Sequence, residues 1–219
     1  MNIVIPDEYQ DIVPQLDCYK LLTGHDVTSY REPAPDFETL VARLHPADVV
    51  VAIRERVKFN RALIARLPNL KMIALVGRNA TTIDYAVATE HGVMVSTGKS
   101  NSPVAPAELT VALIMAARRN IVLEAERMRR GEWPMTLSHR LRGSTLGIFG
   151  LGNIGSLVAE AGVGLGMKLL VWGQETSAKR AVERRYAVAA SQAALFQELD
   201  VLSLTGPMRP RTRAPSPPR

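Results

Sequence analysis

Residues 145–172 read TLGIFGLGNIGSLVAEAGVGLGMKLLVW, and they predict a strand–turn–helix–strand unit. The apolar run at residues 146–149 has the length of a buried parallel strand. Three glycines with the spacing GxGxxG follow, and then come a stretch of helical character and a second apolar run at residues 168–172. A unit of this size is what a crossover between two parallel strands requires.

The three glycines have different physical roles in such a turn. Gly150 permits the tight turn out of the strand, Gly152 allows a pyrophosphate to approach the backbone, and Gly155 lets the helix lie close to the strand. The amides of Asn153 and Ile154 then open the helix, where unpaired N–H groups and the helix dipole favour a phosphate. Glycines at this spacing also occur in purely structural turns, but the flanking strand and helix favour a dinucleotide site.

The predicted dinucleotide site continues at the end of the second strand, through Trp172, Gly173, Gln174 and Glu175. A carboxylate that binds the ribose hydroxyls is expected near position 173, where glycine has no side chain. Glu175 lies slightly later and is the candidate substitute. Without the carboxylate a 2′-phosphate is less strongly excluded, yet no arginine at 173 or 174 selects it. Both NAD and NADP therefore remain as cofactors.

The composition is that of a globular protein. Of the 219 residues, 47% are hydrophobic and 22% are charged. A single cysteine, Cys18, excludes an internal disulfide and favours a cytoplasmic location. The N-terminus lacks the pattern of a signal peptide, and no apolar run approaches the roughly 18 residues of a membrane span. We therefore expect no membrane association.

The basic charge is concentrated at the C-terminus. The net charge is +6, and residues 206–219 hold four arginines and no acid. The remaining charges are mixed in sign, so we predict no nucleic-acid partner. The same residues hold five prolines, and we predict them to be disordered. The sequence indicates no metal site.

Strand and helix patterns alternate over the first 98 residues, which predicts a parallel α/β sheet. The predicted strands are residues 2–5, 47–53, 71–75 and 93–95, and the predicted helices are residues 37–44, 60–67 and 83–90. A connection rich in Gly, Ser and Pro leads to one long helix from Pro106 to about Arg127. Beyond residue 172 we expect helices at residues 177–185 and 191–198 and strands at residues 186–188 and 200–204.

Four segments together resemble the D-isomer-specific 2-hydroxyacid dehydrogenases, the group that includes phosphoglycerate dehydrogenase and glyoxylate/hydroxypyruvate reductase. They are LPNLKMIALVGRNATTIDYAVATEHGVMV at residues 67–95, APAELTVALIMAARRNI at residues 105–121, LRGSTLGIFGLGNIG at residues 141–155 and LDVLSL at residues 199–204. The segments come in the family's order and at family-like spacing, so the match is much stronger than one motif would be.

The resemblance implies an α/β chain with two domains. Residues 1–98 would form an incomplete, flavodoxin-like substrate domain. Residues 99–205 would form the first half of a Rossmann domain, a doubly wound parallel sheet that binds NAD or NADP, and residues 206–219 would be the tail. The implied reaction is hydride transfer between the nicotinamide and a small 2-hydroxy or 2-keto acid, in a protein that is typically a homodimer.

The resemblance also implies where the substrate binds. Family members hold the substrate carboxylate with backbone amides after a strand, and the matching positions are Arg78, Asn79 and Ala80. These replace the family's more usual small, glycine-containing loop. Arg54 stands at the end of an earlier strand, where it would add a second contact to the anion, or else be a solvated loop charge.

The catalytic arginine, glutamate and histidine of the family lie downstream of the segment that residues 200–204 resemble. We therefore predict no catalytic residue within this chain, and we expect a truncation or frameshift near Leu204. The alternatives are an active dehydrogenase, a non-catalytic dinucleotide-binding remnant, and a dinucleotide-sensing protein like the corepressors that resemble this family.

Overall fold

The computed structural model describes residues 1–54, 56–77, 81–98 and 102–206. The chain divides into two compact units, Met1–Asn101 and Ser102–Arg219. Each unit is built around its own parallel sheet. This confirms the predicted α/β class with two parallel sheets.

The first unit has a five-stranded sheet in which all neighbouring strands are parallel. Its strands are β1 (Asn2–Ile5), β2 (Asp26–Ser29), β3 (Val49–Ile53), β4 (Met72–Val76) and β5 (Met94–Thr97). The order β2-β1-β3-β4-β5 is that of flavodoxin-like sheets, in which ligands bind where the strand order reverses, between β1 and β3.

Three helices of the first unit begin at side-chain caps. They are α1 (Phe37–Leu44), α2 (Arg61–Ile64) and α3 (Tyr85–Glu90). The side chains of Asp36, Asn60 and Asp84 each accept a hydrogen bond from the amide three residues later, at 2.7, 3.1 and 3.1 Å. The α2 helix is shorter than the predicted span of residues 60–67.

The β2 strand is an element that the sequence pattern did not reveal. It is polar, and in the described part of the chain it pairs with β1 alone. Because this edge strand has no buried face, its sequence does not show the alternation of apolar and polar residues that reveals a strand. Two short 3-10 segments, Val13–Gln15 and Asp17–Leu22, occupy the connection between β1 and β2.

The second unit holds a four-stranded parallel sheet in the order β8-β7-β6-β9. Its strands are β6 (Thr145–Phe149), β7 (Lys168–Trp172), β8 (Ala187–Val188) and β9 (Val201–Leu204). Its helices are α4 (Val104–Arg118), α5 (Ile121–Arg129), α6 (Asn153–Gly164), α7 (Glu175–Glu183) and α8 (Gln192–Glu198). Counted within the unit, the strand order is 3-2-1-4, the arrangement that begins a Rossmann sheet.

The core of this unit lies around β6 and α6, where Leu146, Ile148, Val158 and Ala159 are almost completely buried. In the described part of the chain, β9 pairs only with β6.

The single long helix predicted from Pro106 to Arg127 is wrong, because the structure has two helices there. Asn120 separates α4 from α5 and adopts a left-handed backbone conformation with φ of 53°. Its side-chain amide donates to the hydroxyl of Thr136 at 3.1 Å and to the carbonyl of Leu137 at 3.3 Å. Asparagine tolerates this conformation better than most residues, so the break is locally encoded.

We predict that Asn120→Ala lowers the free energy of unfolding by about 2 kcal/mol, because alanine is strained in the left-handed backbone conformation and cannot make either side-chain hydrogen bond. Asn120→Gly keeps the backbone conformation accessible and should cost only about 1 kcal/mol. Urea unfolding followed by circular dichroism measures both values. Equal losses in the two variants would mean that the left-handed conformation does not stabilise the helix pair.

Candidate functional site

The turn between β6 and α6 is formed by the first glycine of the motif. Gly150 has φ of 97°, a conformation that favours glycine over every residue with a side chain. Its amide donates to the carbonyl of Trp172 at 2.8 Å, which links the turn to the end of β7. A Cβ added to Gly150 would lie 3.2 Å from the amide nitrogen of Gly206, so the space is also tight.

The other two glycines differ sharply in their surroundings. A Cβ on Gly155 would lie 2.2 Å from the carbonyl oxygen of Gly150 and 2.8 Å from the hydroxyl of Thr205. No real side chain fits there, so Gly155 brings the helix against the end of the strand. A Cβ on Gly152 would meet nothing within 4 Å. The position of Gly152 therefore faces open space that a ligand can enter.

The α6 helix begins at Asn153, directly behind this open space. Gly152 is the N-cap and makes no side-chain hydrogen bond to the first turn. The amides of Asn153 and Ile154 lie in that first turn, where a helix offers no internal acceptor. Free N–H groups and the positive end of the helix dipole together favour an anion such as a pyrophosphate.

Three side chains from other elements fix the turn, and none of them was identified from the sequence. The hydroxyl of Thr205 donates to the carbonyl of Gly150 at 2.8 Å. The hydroxyl of Ser177 accepts a hydrogen bond from the amide of Leu151 at 3.2 Å. The guanidinium of Arg180 donates a hydrogen bond to the carbonyl of Leu151 at 3.1 Å. The backbone of the turn is thus held in shape by side chains before any ligand binds.

The residues after β7 lie next to the glycine turn. A Cβ on Gly173 would be 3.4 Å from the Cα of Gly150, so the two segments are neighbours. Gln174 is the N-cap of α7, and Glu175 is the first residue of that helix. The Glu175 carboxylate pairs with Lys179 at 2.8 Å, and its side chain is 80% exposed.

The predicted substrate residues lie in the first unit. Arg54 follows β3 directly, is exposed, and has a left-handed backbone with φ of 57°. Such a conformation is strained for arginine and is enriched at functional sites. Arg78, Asn79 and Ala80 lie outside the described residues.

A polar cluster that the sequence did not reveal lies at the carboxyl ends of β1 and β3. Burial raises the pKa of the Asp7 carboxyl, and the positive charges of Arg56 and Arg43 oppose that shift. The Arg56 guanidinium donates to the carbonyl of Asp7 and stacks 4.0 Å from the ring centre of Tyr9. Asp7, Arg56 and Lys58 line a cavity of about 260 Å³ there.

The described residues hold no cluster of metal ligands and no helix that could cross a membrane. No group of three or more His, Cys, Asp or Glu side chains in that part of the chain is arranged to hold a metal ion. None of the helices there is both long enough and apolar enough to cross a bilayer.

Comparison with known proteins identifies the family. Residues 111–215 match the NAD binding domain of the D-isomer specific 2-hydroxyacid dehydrogenases. The chain is 35% identical to a glyoxylate reductase of Aeropyrum pernix over 190 residues, and 32% identical to a D-3-phosphoglycerate dehydrogenase of Methanocaldococcus jannaschii over 178 residues. These alignments cover 82% and 80% of the chain, and 56% and 34% of the relatives.

A solved structure gives a closer match. The phosphoglycerate oxidoreductase of Vibrio cholerae is 42% identical and superimposes with a TM-score of 0.93, over 97% of this chain and 69% of the other. The chain therefore belongs to the D-isomer specific 2-hydroxyacid dehydrogenase family, as the sequence motifs predicted. The match to the NAD binding domain also confirms the predicted cofactor class, NAD or NADP. The chain spans about half or less of the length of the two curated relatives.

We predict that Gly155→Ala lowers the free energy of unfolding by about 3 kcal/mol, because the new methyl group would collide with the Gly150 carbonyl. The matched control is Gly164→Ala at the other end of α6, where an added Cβ meets nothing within 4 Å. That substitution should stabilise the helix by up to about 1 kcal/mol. Urea unfolding tests the pair, and a Gly155→Ala variant as stable as the wild type would contradict the close approach described here.

Proposed function

We propose that the second unit binds a nicotinamide dinucleotide at the turn between β6 and α6. The open space at Gly152, in front of the uncapped first turn of α6, is the observation that carries this proposal. The groups that would hold the pyrophosphate are the backbones of Gly150, Gly152, Asn153, Ile154 and Gly155. Trp172, Gly173, Gln174 and Glu175 would line the adenosine side, since they follow β7 beside the turn.

We propose that the two units serve to bind the cofactor and the substrate of a reversible hydride transfer to and from C2 of a small 2-hydroxy or 2-keto acid. The bound cofactor supplies the hydride chemistry, and the protein supplies position and charge. The first unit would then be the substrate domain. This unit would bind an anionic substrate through the positive charge of Arg54 and the backbone amides of Arg78, Asn79 and Ala80. Membership of the family and the exposed, left-handed position of Arg54 support this assignment.

The binding proposal is tested by titrating the chain with NADH and NADPH and following the fluorescence of the coenzyme. We expect saturable binding by the wild type. Gly152→Ala should weaken binding at least tenfold, because its methyl group would occupy the space that the pyrophosphate needs. Alanine at this N-cap should lower the free energy of unfolding by no more than about 1 kcal/mol. Gly164→Ala adds the same methyl group at the far end of α6 and should bind like the wild type. Unchanged binding by Gly152→Ala would contradict the proposed position of the dinucleotide.

Catalytic turnover is tested separately from coenzyme binding. It is measured by the oxidation of NADH or NADPH in the presence of glyoxylate, hydroxypyruvate or pyruvate. Coenzyme binding with no turnover by these 219 residues would support the prediction that the catalytic residues are missing from this chain. Turnover above background would contradict that prediction and support an active dehydrogenase.

We propose that the protein is a homodimer that buries α4 and α5. The two helices carry exposed apolar side chains, which are Leu109, Leu113, Val122, Leu123 and Met128. The extended segment after α5 adds Trp133, Met135 and Leu137, which are 78%, 81% and 93% exposed. Leu113, Val122 and Leu123 line one surface pocket. An exposed apolar surface of this kind indicates a protein interface, and homodimer interfaces are more apolar than non-obligate ones. A second copy of the chain is therefore the proposed occupant.

The dimer proposal predicts that Leu113→Glu shifts the molecular mass measured by light scattering from dimer to monomer, because a charge would be buried in the interface. Leu21→Glu is the control, since Leu21 is 82% exposed and lies in the first unit. That variant should remain dimeric. A monomeric wild type, or a dimeric Leu113→Glu variant, would exclude this interface.

A further inference from the structure

We propose that the ribose end of the dinucleotide site admits a 2′-phosphate, and that Arg180 is the residue that favours it. The chain should then bind the 2′-phosphorylated nicotinamide dinucleotide at least as tightly as the unphosphorylated one. This inference rests on the proposed function, because it concerns the same site.

Position 173 has no room for a ribose-binding carboxylate. A Cβ on Gly173 would lie 2.9 Å from the hydroxyl oxygen of Ser177 and 3.0 Å from its Cβ. Ser177 is buried, and its hydroxyl already accepts a hydrogen bond from the amide of Leu151 at 3.2 Å. An aspartate at 173 would displace Ser177 and break a bond that holds the glycine turn. The structure thus explains why glycine stands where NAD-selective sites carry an acid.

Glu175 is a weak substitute for the missing carboxylate. Its carboxylate is 2.8 Å from the ammonium group of Lys179, one helical turn further along α7, and both side chains face solvent. The Lys179 charge offsets the negative charge of the carboxylate. The pair therefore excludes a 2′-phosphate less strongly than an unpaired acid would.

The guanidinium of Arg180 lies at the glycine turn. It donates one hydrogen bond to the carbonyl of Leu151, the residue between the first two glycines, at 3.1 Å. A guanidinium carries five N–H donors, so several remain for a ligand. Within the described residues no carboxylate lies within salt-bridge distance of Arg180. A fixed, unneutralised guanidinium beside a dinucleotide site is well suited to a phosphate.

The test is a comparison of dissociation constants for NADH and NADPH, measured on the full chain by coenzyme fluorescence. We expect NADPH to bind as tightly as NADH or more tightly. Arg180→Gln should weaken both coenzymes, because both use the turn that Arg180 helps to fix, but it should raise the dissociation constant of NADPH about tenfold more than that of NADH, because only NADPH carries the 2′-phosphate. Arg180→Lys keeps the charge and should retain part of the NADPH affinity.

The matched control is Arg184→Gln, which removes the same charge one turn further along the chain. Arg184 pairs with Glu160 of α6, so we expect neither dissociation constant to change. If Arg180→Gln weakens both coenzymes equally, the residue only holds the turn, and its role in specificity is refuted.

The outcomes separate this inference from the proposed function. Saturable NADH binding with NADPH at least tenfold weaker overturns the inference and leaves the dinucleotide site intact. Folded chain that binds neither coenzyme overturns the proposed function, and the inference with it.

Discussion

The close approach of Gly155 to the carbonyl of Gly150 is the contact on which the second unit depends. Only a residue without a side chain fits there, because a Cβ would lie 2.2 Å from that oxygen. The contact draws the start of α6 against the end of β6. Further along the helix, Gly162 allows a second close approach to the strand, since a Cβ there would lie 2.7 Å from a methyl carbon of Leu146. The helix therefore lies close to the strand over its whole length, and its free amides face the carboxyl edge of the sheet.

The backbone site is supported by side chains from outside the motif. Thr205 follows β9 and reaches the turn from one side, while Ser177 and Arg180 of α7 reach it from the other. These contacts satisfy the carbonyl of Gly150 and both backbone groups of Leu151. A turn whose polar groups are already paired needs little reorganisation when a ligand arrives, which lowers the free-energy cost of binding.

The sequence predicted correctly those strands and helices whose apolar pattern is contained within a few consecutive residues. The β7 strand and the α1 helix were predicted with the bounds that the structure has, since the apolar pattern of each lies within a few consecutive residues. The β2 strand was missed because it is a polar edge strand. The long helix was wrong because its apolar residues continue past Asn120, and only the left-handed backbone at that residue divides it.

The contacts around the site could not be predicted, because they join distant parts of the chain. Thr205 is 55 residues from Gly150, and Ser177 is 26 residues from Leu151. Their partners are backbone groups, which leave no pattern of charge or hydrophobicity. The rule that carboxyl ends of parallel strands meet at one edge would have pointed to Thr205, given the pairing of β9 with β6.

An amide-resolved titration tests directly whether the first turn of α6 holds the dinucleotide. The chain, of 24.0 kDa, can be labelled with nitrogen-15 and titrated with NADH while the chemical shift of each backbone amide is followed. We predict large, saturable shifts for the amides of Gly152, Asn153 and Ile154 and small ones at Gly164. Saturable binding that leaves those three amides unchanged would contradict this prediction.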